Sequence, residues 1–361
     1  ADLFGNRWDL IDAATRRNLE LTHSLAGGRS GSLLSIMDRT CTAGGARLLE
    51  RRISSPSRVL ETITDRLNAV SFAYGHAKLG QRVRDSLRRI SDLDRALSRL
   101  SLDRGGPRDL AALRNGLTEA GQIAQVLAEE DLPPLLRNCI SGLLGHDALI
   151  DLLDQALVAE PPLLIRDGGF IAPEYDPDLD DARKLRDQGR NVIAGMQQKF
   201  VSDTGIAALK IKHNNVLGYF VETTATHAQK MLSPPLSDVF IHRACRRATQ
   251  PRSVELSEME TKILNAGNRA DEIEKRLFDN LRQAVLAQAA EMGVVSTGLA
   301  EIDLAFGLAD LAQTERWVKP TVDGTRAFAI ESGRHPVVEQ ALQRQSGDPF
   351  IANDCDLSAR D

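Results

Sequence analysis

Two stripes of apolar residues constrain this chain more than anything else in it. Between Pro177 and Gly205, the residues Ala182, Leu185, Gly189, Val192, Met196 and Phe200 recur at spacings of three and four. Further on, Leu256, Met259, Ile263, Ala266, Ala270, Ile273 and Leu277 alternate three and four without a slip. Heptad spacing of this kind predicts two long helices packed along their length. Asp176-Pro177 starts the first, an Asp cap followed by Pro at the first helical position, and Asp203-Thr204-Gly205 ends it. The residues between the two helices do not read as helix. Leu209-Lys210-Ile211-Lys212-His213 alternates as a strand does, Asn214-Asn215 signals a turn, and Val216 to Thr223 reads as the returning strand. The pattern predicts a two-helix arm carrying a small β-containing tip.

Charge separates the tip from everything else. Residues 206–252 hold Lys210, Lys212, Lys230, Arg243, Arg246, Arg247 and Arg252 against Glu222 and Asp238, seven minus two, or +5. The whole chain carries 45 Lys and Arg against 50 Asp and Glu, or −5, so the remainder sums to −10. A basic tip on an acidic body is the electrostatic footprint of a polyanion-binding element, although charge alone fits a solvated surface equally well.

The rest of the chain reads as mainly helical. Aromatic residues make up only 4%, and Leu, Ala and Arg are abundant, which favours helices over sheets. Three-to-four periodicity predicts a helix from Leu33 that Gly44-Gly45 interrupts or bends and that runs to Pro56, then helices over 57–75, 79–102 and 108–127, and more to about residue 158. Leu163 to Ala172 has the form of a small hairpin around Asp167-Gly168-Gly169. After the second arm helix, Gly293 is the expected break, and Leu299 to Glu315 the next helix. Beyond Pro320, Arg326 to Ile330 and Pro349 to Asn353 read as strands.

Several chemistries find no support. No stretch of about 18 apolar residues spans a membrane. Cys41, Cys139, Cys245 and Cys355 are far apart and form no CxxC pair, so free thiols are expected rather than disulfides or a zinc site. The seven His residues form neither HxxxH nor HExxH, and no metal is expected. Arg16, Arg17, Asp38, Arg39, Asp92, Asp94 and Arg95 are charges at helix ends and faces, where ion pairs are the usual role, so no catalytic constellation is assigned.

Some stretches are nonetheless specific in their order and spacing. They are Asp12-Ala13-Ala14-Thr15-Arg16-Arg17-Asn18-Leu19-Glu20-Leu21, Asp38-Arg39-Thr40 with Arg47-Leu48-Leu49, Asp92-Leu93-Asp94-Arg95, and Pro107-Arg108-Asp109-Leu110. Asp167-Gly168-Gly169 with Tyr175 follows, then Asn214 through Gly218-Tyr219-Phe220, Gly333-Arg334-His335-Pro336-Val337-Val338-Glu339, and Pro349-Phe350-Ile351-Ala352-Asn353. Together they resemble the MutS family of DNA mismatch repair proteins over essentially the whole chain.

The resemblance implies an organisation. Residues 1–10 would end an upstream connector, and 11–204 would form the first part of the helical core, or lever, domain. Residues 205–253 would be a clamp that closes over duplex DNA, 254–320 the returning core helices, and 321–361 the start of an α/β ATPase domain. The implied contacts with the DNA backbone are Arg243, Arg246 and Arg247, with Lys210, Lys212, His213, Asn214 and Arg252. Arg and Lys suit this because they donate charge-assisted hydrogen bonds to phosphates without reading sequence. After Ile241-His242-Arg243, the stretch Ala244-Cys245-Arg246-Arg247-Ala248-Thr249 departs from the family, which usually carries a Gln-Thr pair, an Asn, and an Arg before an aromatic. Phe350 and Ile351 match a stretch beside the nucleotide base.

No Gly-x-x-x-x-Gly-Lys-Ser/Thr loop occurs in these 361 residues, so they are expected to hold no cofactor and no enzyme activity. ATP and Mg would belong to the whole protein. The resemblance further implies mismatch-containing duplex DNA, a homodimer and MutL as partners, a bacterial cytoplasmic setting, and relay of the nucleotide state along the arm helices. A structural coiled-coil module that binds a protein, and a MutS-like protein acting on recombination intermediates, are the alternative readings.

Overall fold

The computed structural model describes residues 11–214, 218–223, 227, 234, 241–245, 248–252, 254–345 and 348–358, the side chains of 190, 214, 218, 241–245, 248–252, 254, 255 and 257 excepted. The chain divides into two compact units, Gln155–Gln283 and the flanking Ala1–Asp154 with Ala284–Asp361. Helix dominates both, as the periodicity predicts.

The flanking unit contains α1 (Ala13–Asn18), α2 (Leu33–Met37), α3 (Ala43–Ser54), α4 (Leu60–Gly75), α5 (Ala77–Leu87), α6 (Leu93–Ser101), α7 (Pro107–Ala128) and α8 (Pro134–Gly142). Helix α9 (Asp147–Ala156) follows them in the chain. The unit is built around α12 (Ala289–Glu315), which packs against α3, α4, α5, α6, α7 and α8. That helix is apolar nearly all round, with Val295, Leu299, Ile302, Leu304, Phe306 and Leu311 buried in different directions. A helix that is hydrophobic on every face belongs inside a core. It is long and apolar enough to cross a membrane by length and composition, yet two-thirds of its most apolar stretch is buried against its neighbours.

Sequence motifs in this unit resolve into caps and ion pairs. Asp92 caps α6, accepting the Arg95 N–H at 3.2 Å, and its carboxylate also takes both Nη atoms of Arg47 from α3, at 2.8 and 3.0 Å. The Arg47 guanidinium holds the Asp92 carboxyl below the usual carboxylate range. Asp94 joins the same arginine at 2.9 Å. Asp38 accepts the Thr40 N–H and hydroxyl at 3.0 and 2.6 Å, and Arg39 pairs with Glu315 at 3.4 Å. Pro107 opens α7, where Asp109 accepts the Gly106 N–H at 2.8 Å and pairs with Arg99 at 3.2 Å. Arg39, Asp92 and Asp94 take the ion-pair role expected for these charges, whereas Asp38 turns onto Thr40.

Four local expectations are corrected. Gly44-Gly45 lies in the first turn of α3 and does not bend it; the break is at residues 38–42, where Asp38 folds its side chain onto Thr40. The predicted helix over 79–102 is two helices, parted where Asp92 caps the second. Gly293 lies inside α12, and the break falls at Gln288 (φ −107°, ψ 23°). The hairpin expected over Leu163–Ala172 is absent; Ile171 forms an antiparallel bridge with Leu157, and Ile165–Asp167 is a 3-10 turn.

The unit Gln155–Gln283 carries the two long helices, α10 (Pro177–Thr204) and α11 (Val254–Ala287, which runs a few residues past the unit). Asp176 caps α10, accepting the Leu179 N–H at 2.9 Å, and Gly205 ends it in the left-handed conformation (φ 66°). The α11 stripe is as the spacing predicts. The α10 stripe is rotated, because Leu185 and Val192 are 52% and 43% exposed, while Leu179, Ala182, Gly189, Ile193, Met196 and Phe200 are buried.

Gly189 explains that rotation. A Cβ built on it would lie 2.3 Å from Ile263 Cγ1, so the two helices approach more closely there than any side chain allows. Gly189→Ala removes a helix-weakening glycine, a gain of about 1 kcal/mol, but overpacks a tight contact at a cost of about 1–3 kcal/mol. The expected result in urea unfolding is a net loss of up to about 2 kcal/mol, recovered in part by adding Ile263→Ala. A net gain from Gly189→Ala alone would show that the contact does not hold the helices.

The last stretch forms β5 (Ala329–Gly333), α13 (Pro336–Arg344) and β6 (Asn353–Asp356). Strands β5 and β6 pair antiparallel, a few residues C-terminal of the predicted runs. Pro336 opens α13 behind His335, whose Nδ1 accepts the Val338 N–H at 3.3 Å, which gives the Gly-Arg-His-Pro motif a helix-starting role.

Candidate nucleic-acid interface

The tip is built from two β-ribbons. Strands β1 (Lys210–Asn214) and β2 (Gly218–Glu222) pair antiparallel, with Lys210 opposite Glu222, Ile211 opposite Val221, Lys212 opposite Phe220, and His213 opposite Tyr219. Strands β3 (Ile241–Cys245) and β4 (Ala248–Arg252) form the second ribbon, and β2 runs beside β4.

Alternation along β1 sorts its side chains onto two faces. Ile211 and Val221 turn into the apolar cluster of Ile193, Met196, Phe200, Ile206, Leu209, Leu256 and Ile263, which joins the ribbon to both helices. Lys210, Lys212 and Glu222 share the opposite face with Phe220, and the three charged residues are exposed.

Two polar side chains hold the ribbon by its backbone. A two-stranded ribbon leaves outward N–H groups along each edge. On one edge, the Ile211 N–H donates to Gln197 Oε1 of α10 at 2.9 Å. On the other, the Tyr219 N–H donates to Glu260 Oε1 of α11 at 3.0 Å. Glu260 is buried. Each helix therefore satisfies one edge of the ribbon, and its position follows that of α10 and α11. Neither residue is singled out by the charge pattern. Glu260 could have been noticed, since it falls four residues after Leu256 and three before Ile263 and so shares their face.

The predicted contacts separate into groups. Lys210 and Lys212 come together on one face of β1. Lys212 Nζ lies 2.6 Å from Glu222 Oε2, so its charge is shared with a carboxylate. His213 falls on the other face, exposed, its ring 4.8 Å from that of Tyr219 and tilted by 59°. The Asn214 backbone pairs with Gly218 at the end of the ribbon. Arg243 lies in β3 opposite Gln250, and Arg252 at the end of β4 opposite Ile241. Arg246 and Arg247 lie outside the described residues, between β3 and β4. The arrangement offers exposed cations on strands held by rigid helices, which suits contact with a repeating line of phosphates.

Phe350 is half-buried and Ile351 is 79% exposed, just before β6. Both side chains are apolar, and an aromatic ring such as that of Phe350 can stack on a base but offers no donor to a phosphate.

Residues 14–309 match MutS domain III. The chain is 64% identical over 358 residues to the DNA mismatch repair protein MutS of Roseobacter denitrificans, covering 99% of this chain and 41% of that protein. It is 66% identical over 351 residues to the protein of the same name from Ruegeria pomeroyi, covering 97% and 40%. With the corresponding protein of Paracoccus denitrificans it is 60% identical over 350 residues, 96% and 40%. The chain spans about 40% of the length of these curated relatives. A domain match across both units and an identity this high along nearly the whole chain lead to one conclusion: the chain belongs to the MutS family.

Proposed function

We propose that this chain is the core and clamp region of a DNA mismatch repair protein, and that the tip of the long helices grips duplex DNA through its phosphate backbone. The observation that carries the reading is the exposed face of β1, where Lys210 and Lys212 project from a ribbon fastened to α10 and α11 by Gln197 and Glu260. Net charge supports it, because the tip is poor in acids, two against seven basic residues, while the rest of the chain is acidic. Backbone contacts position a protein on DNA without reading sequence, as a scanner for mismatches requires. The wider chemistry belongs to the same proposal: in the longer relatives' setting, this region would work with an ATP-hydrolysing part and with repair partners.

Duplex binding by the 361-residue chain across a salt series tests the clamp. Each phosphate neutralised contributes about 0.9 to the slope of log affinity against log salt. Replacing Arg243, Arg246 and Arg247 together by Ala is expected to weaken binding at low salt and to flatten the slope by up to about 2.7. A wild-type chain that ignores duplex DNA at low salt would remove the clamp reading and favour the protein-binding coiled-coil module.

A further inference from the structure

The basic face of β1–β2 contains one acid. Glu222 is the partner of Lys210 across the ladder and lies diagonal to Lys212, whose Nζ it meets at 2.6 Å. Strand alternation puts all three on the same face. The Lys212 and Glu222 side chains are 51% and 49% exposed, so the pair stands in solvent. A carboxylate held on Lys212 occupies the kind of position that a backbone phosphate would take, offering an oxygen anion to the same ammonium donor. An exposed pair of this sort contributes little to stability, so exchanging one anion for another costs the fold little.

We propose that Glu222 is an internal competitor of DNA phosphate on the clamp, occupying Lys212 until duplex displaces it. This rests on the clamp reading above and deepens it. Glu222 then sets how tightly the tip holds any duplex. In the free protein, Lys212 is paired and attracts no condensed anion. On binding, a phosphate replaces Glu222 at Nζ, and the freed carboxylate turns to solvent beside the duplex, where it opposes the grip. Affinity for undamaged backbone is thereby held down, which suits an element that must release and move along DNA.

The test uses the full chain and a plain duplex. Glu222→Gln keeps the shape and removes the charge. The expected result is tighter binding at low salt, because the phosphate no longer has to displace a carboxylate from Nζ. A double-mutant cycle separates this from a general loss of negative charge. In a Lys212→Gln background, Glu222→Gln is expected to bring little gain, because the cation it releases is gone. Circular dichroism melting of both variants checks that the ribbon is retained. Equal gains in both backgrounds would reduce Glu222 to a background charge, and weaker binding by a folded Glu222→Gln would show that the carboxylate supports the grip; either overturns the proposal. Absence of salt-dependent duplex binding by the wild-type chain would instead sink the clamp reading itself, so the two failures are distinguishable.

Discussion

Glu274→Ala is expected to destabilise the unit Gln155–Gln283 by about 3–5 kcal/mol, the usual cost of removing one partner from a buried charge pair. Glu274 sits on α11 at 4% exposure. Both its carboxylate oxygens accept the Gly169 N–H at 2.9 Å, and Oε1 also takes Nη2 of Arg183 from α10. That Nη2 donates as well to the Ile171 carbonyl at 3.0 Å. One carboxylate thus ties together both long helices and the loop before them. Without it, a largely buried guanidinium keeps, among the described residues, a carbonyl and Asp180 at 3.9 Å, and a backbone N–H loses its acceptor. The loop glycines are part of the arrangement. Gly168 and Gly169 have φ of 62° and 73°, and a Cβ on Gly168 would lie 3.0 Å from Glu274 Oε2. Hydrogen exchange along α10 and α11 is the measurement, because it reports this unit separately. Glu274→Gln, which retains an acceptor and the volume, should lose less than Glu274→Ala. A loss under about 1 kcal/mol for Glu274→Ala, the range of an exposed pair, would contradict the network's role.

That network shows why some of the fold could be read from sequence and some could not. The α11 stripe was legible because every position in it is apolar, and all but the partly buried Met259 are buried. The α10 stripe was misplaced by residues that are apolar yet exposed. Leu185 and Val192 fit a heptad, but the rotation of the helix is decided by Gly189 against Ile263 and Arg183 against Glu274. Neither contact leaves a hydrophobic signature. Asp167-Gly168-Gly169 read as a hairpin turn because Gly pairs mark reversals, whereas here they let a backbone N–H reach a buried acid. Gly293 read as a break, but the buried residues around it carry α12 through, and a Cβ there would meet nothing within 4 Å.

At the candidate site, the lysines of β1 were visible as an alternating pattern. Glu222 was visible only as a charge to be subtracted, since its place on the face of Lys210 and Lys212 depends on the register of β2. Gln197 and Glu260 act through the backbone of residues on other elements, and only the place of Glu260 on the buried face of α11 hints at such a role.

Asp303→Ala is the second large effect expected, a loss of about 2–4 kcal/mol in the flanking unit, from unsatisfied buried donors and a cavity. Asp303 lies on α12 with no exposed surface. Its carboxylate accepts the Cys41 N–H at 2.8 Å, the Thr42 N–H at 2.8 Å and the Thr42 hydroxyl at 2.6 Å. Thr42 is the cap of α3, accepting the Gly45 N–H at 3.0 Å, so a core acid on one helix organises the start of another. Gly45 belongs to the same contact, because a Cβ there would lie 2.3 Å from Asp303 Oδ2. Burial pushes the Asp303 carboxyl above its ordinary value of 3.8, with the Thr42 and Cys41 donors pulling it partly back. The sign of the pH dependence follows. A folded-state pKa above the unfolded one means that the native form takes up the proton first, so the cost of the buried charge is in force at neutral pH and is relieved as pH falls through the folded value towards 3.8. The stability gap between wild type and Asp303→Ala should therefore widen on mild acidification. Urea unfolding of both proteins at neutral and mildly acidic pH measures it. A gap that narrows would mean that the hydrogen bonds from residues 41 and 42 outweigh burial, and that Asp303 holds its charge more firmly in the folded protein than in the unfolded chain.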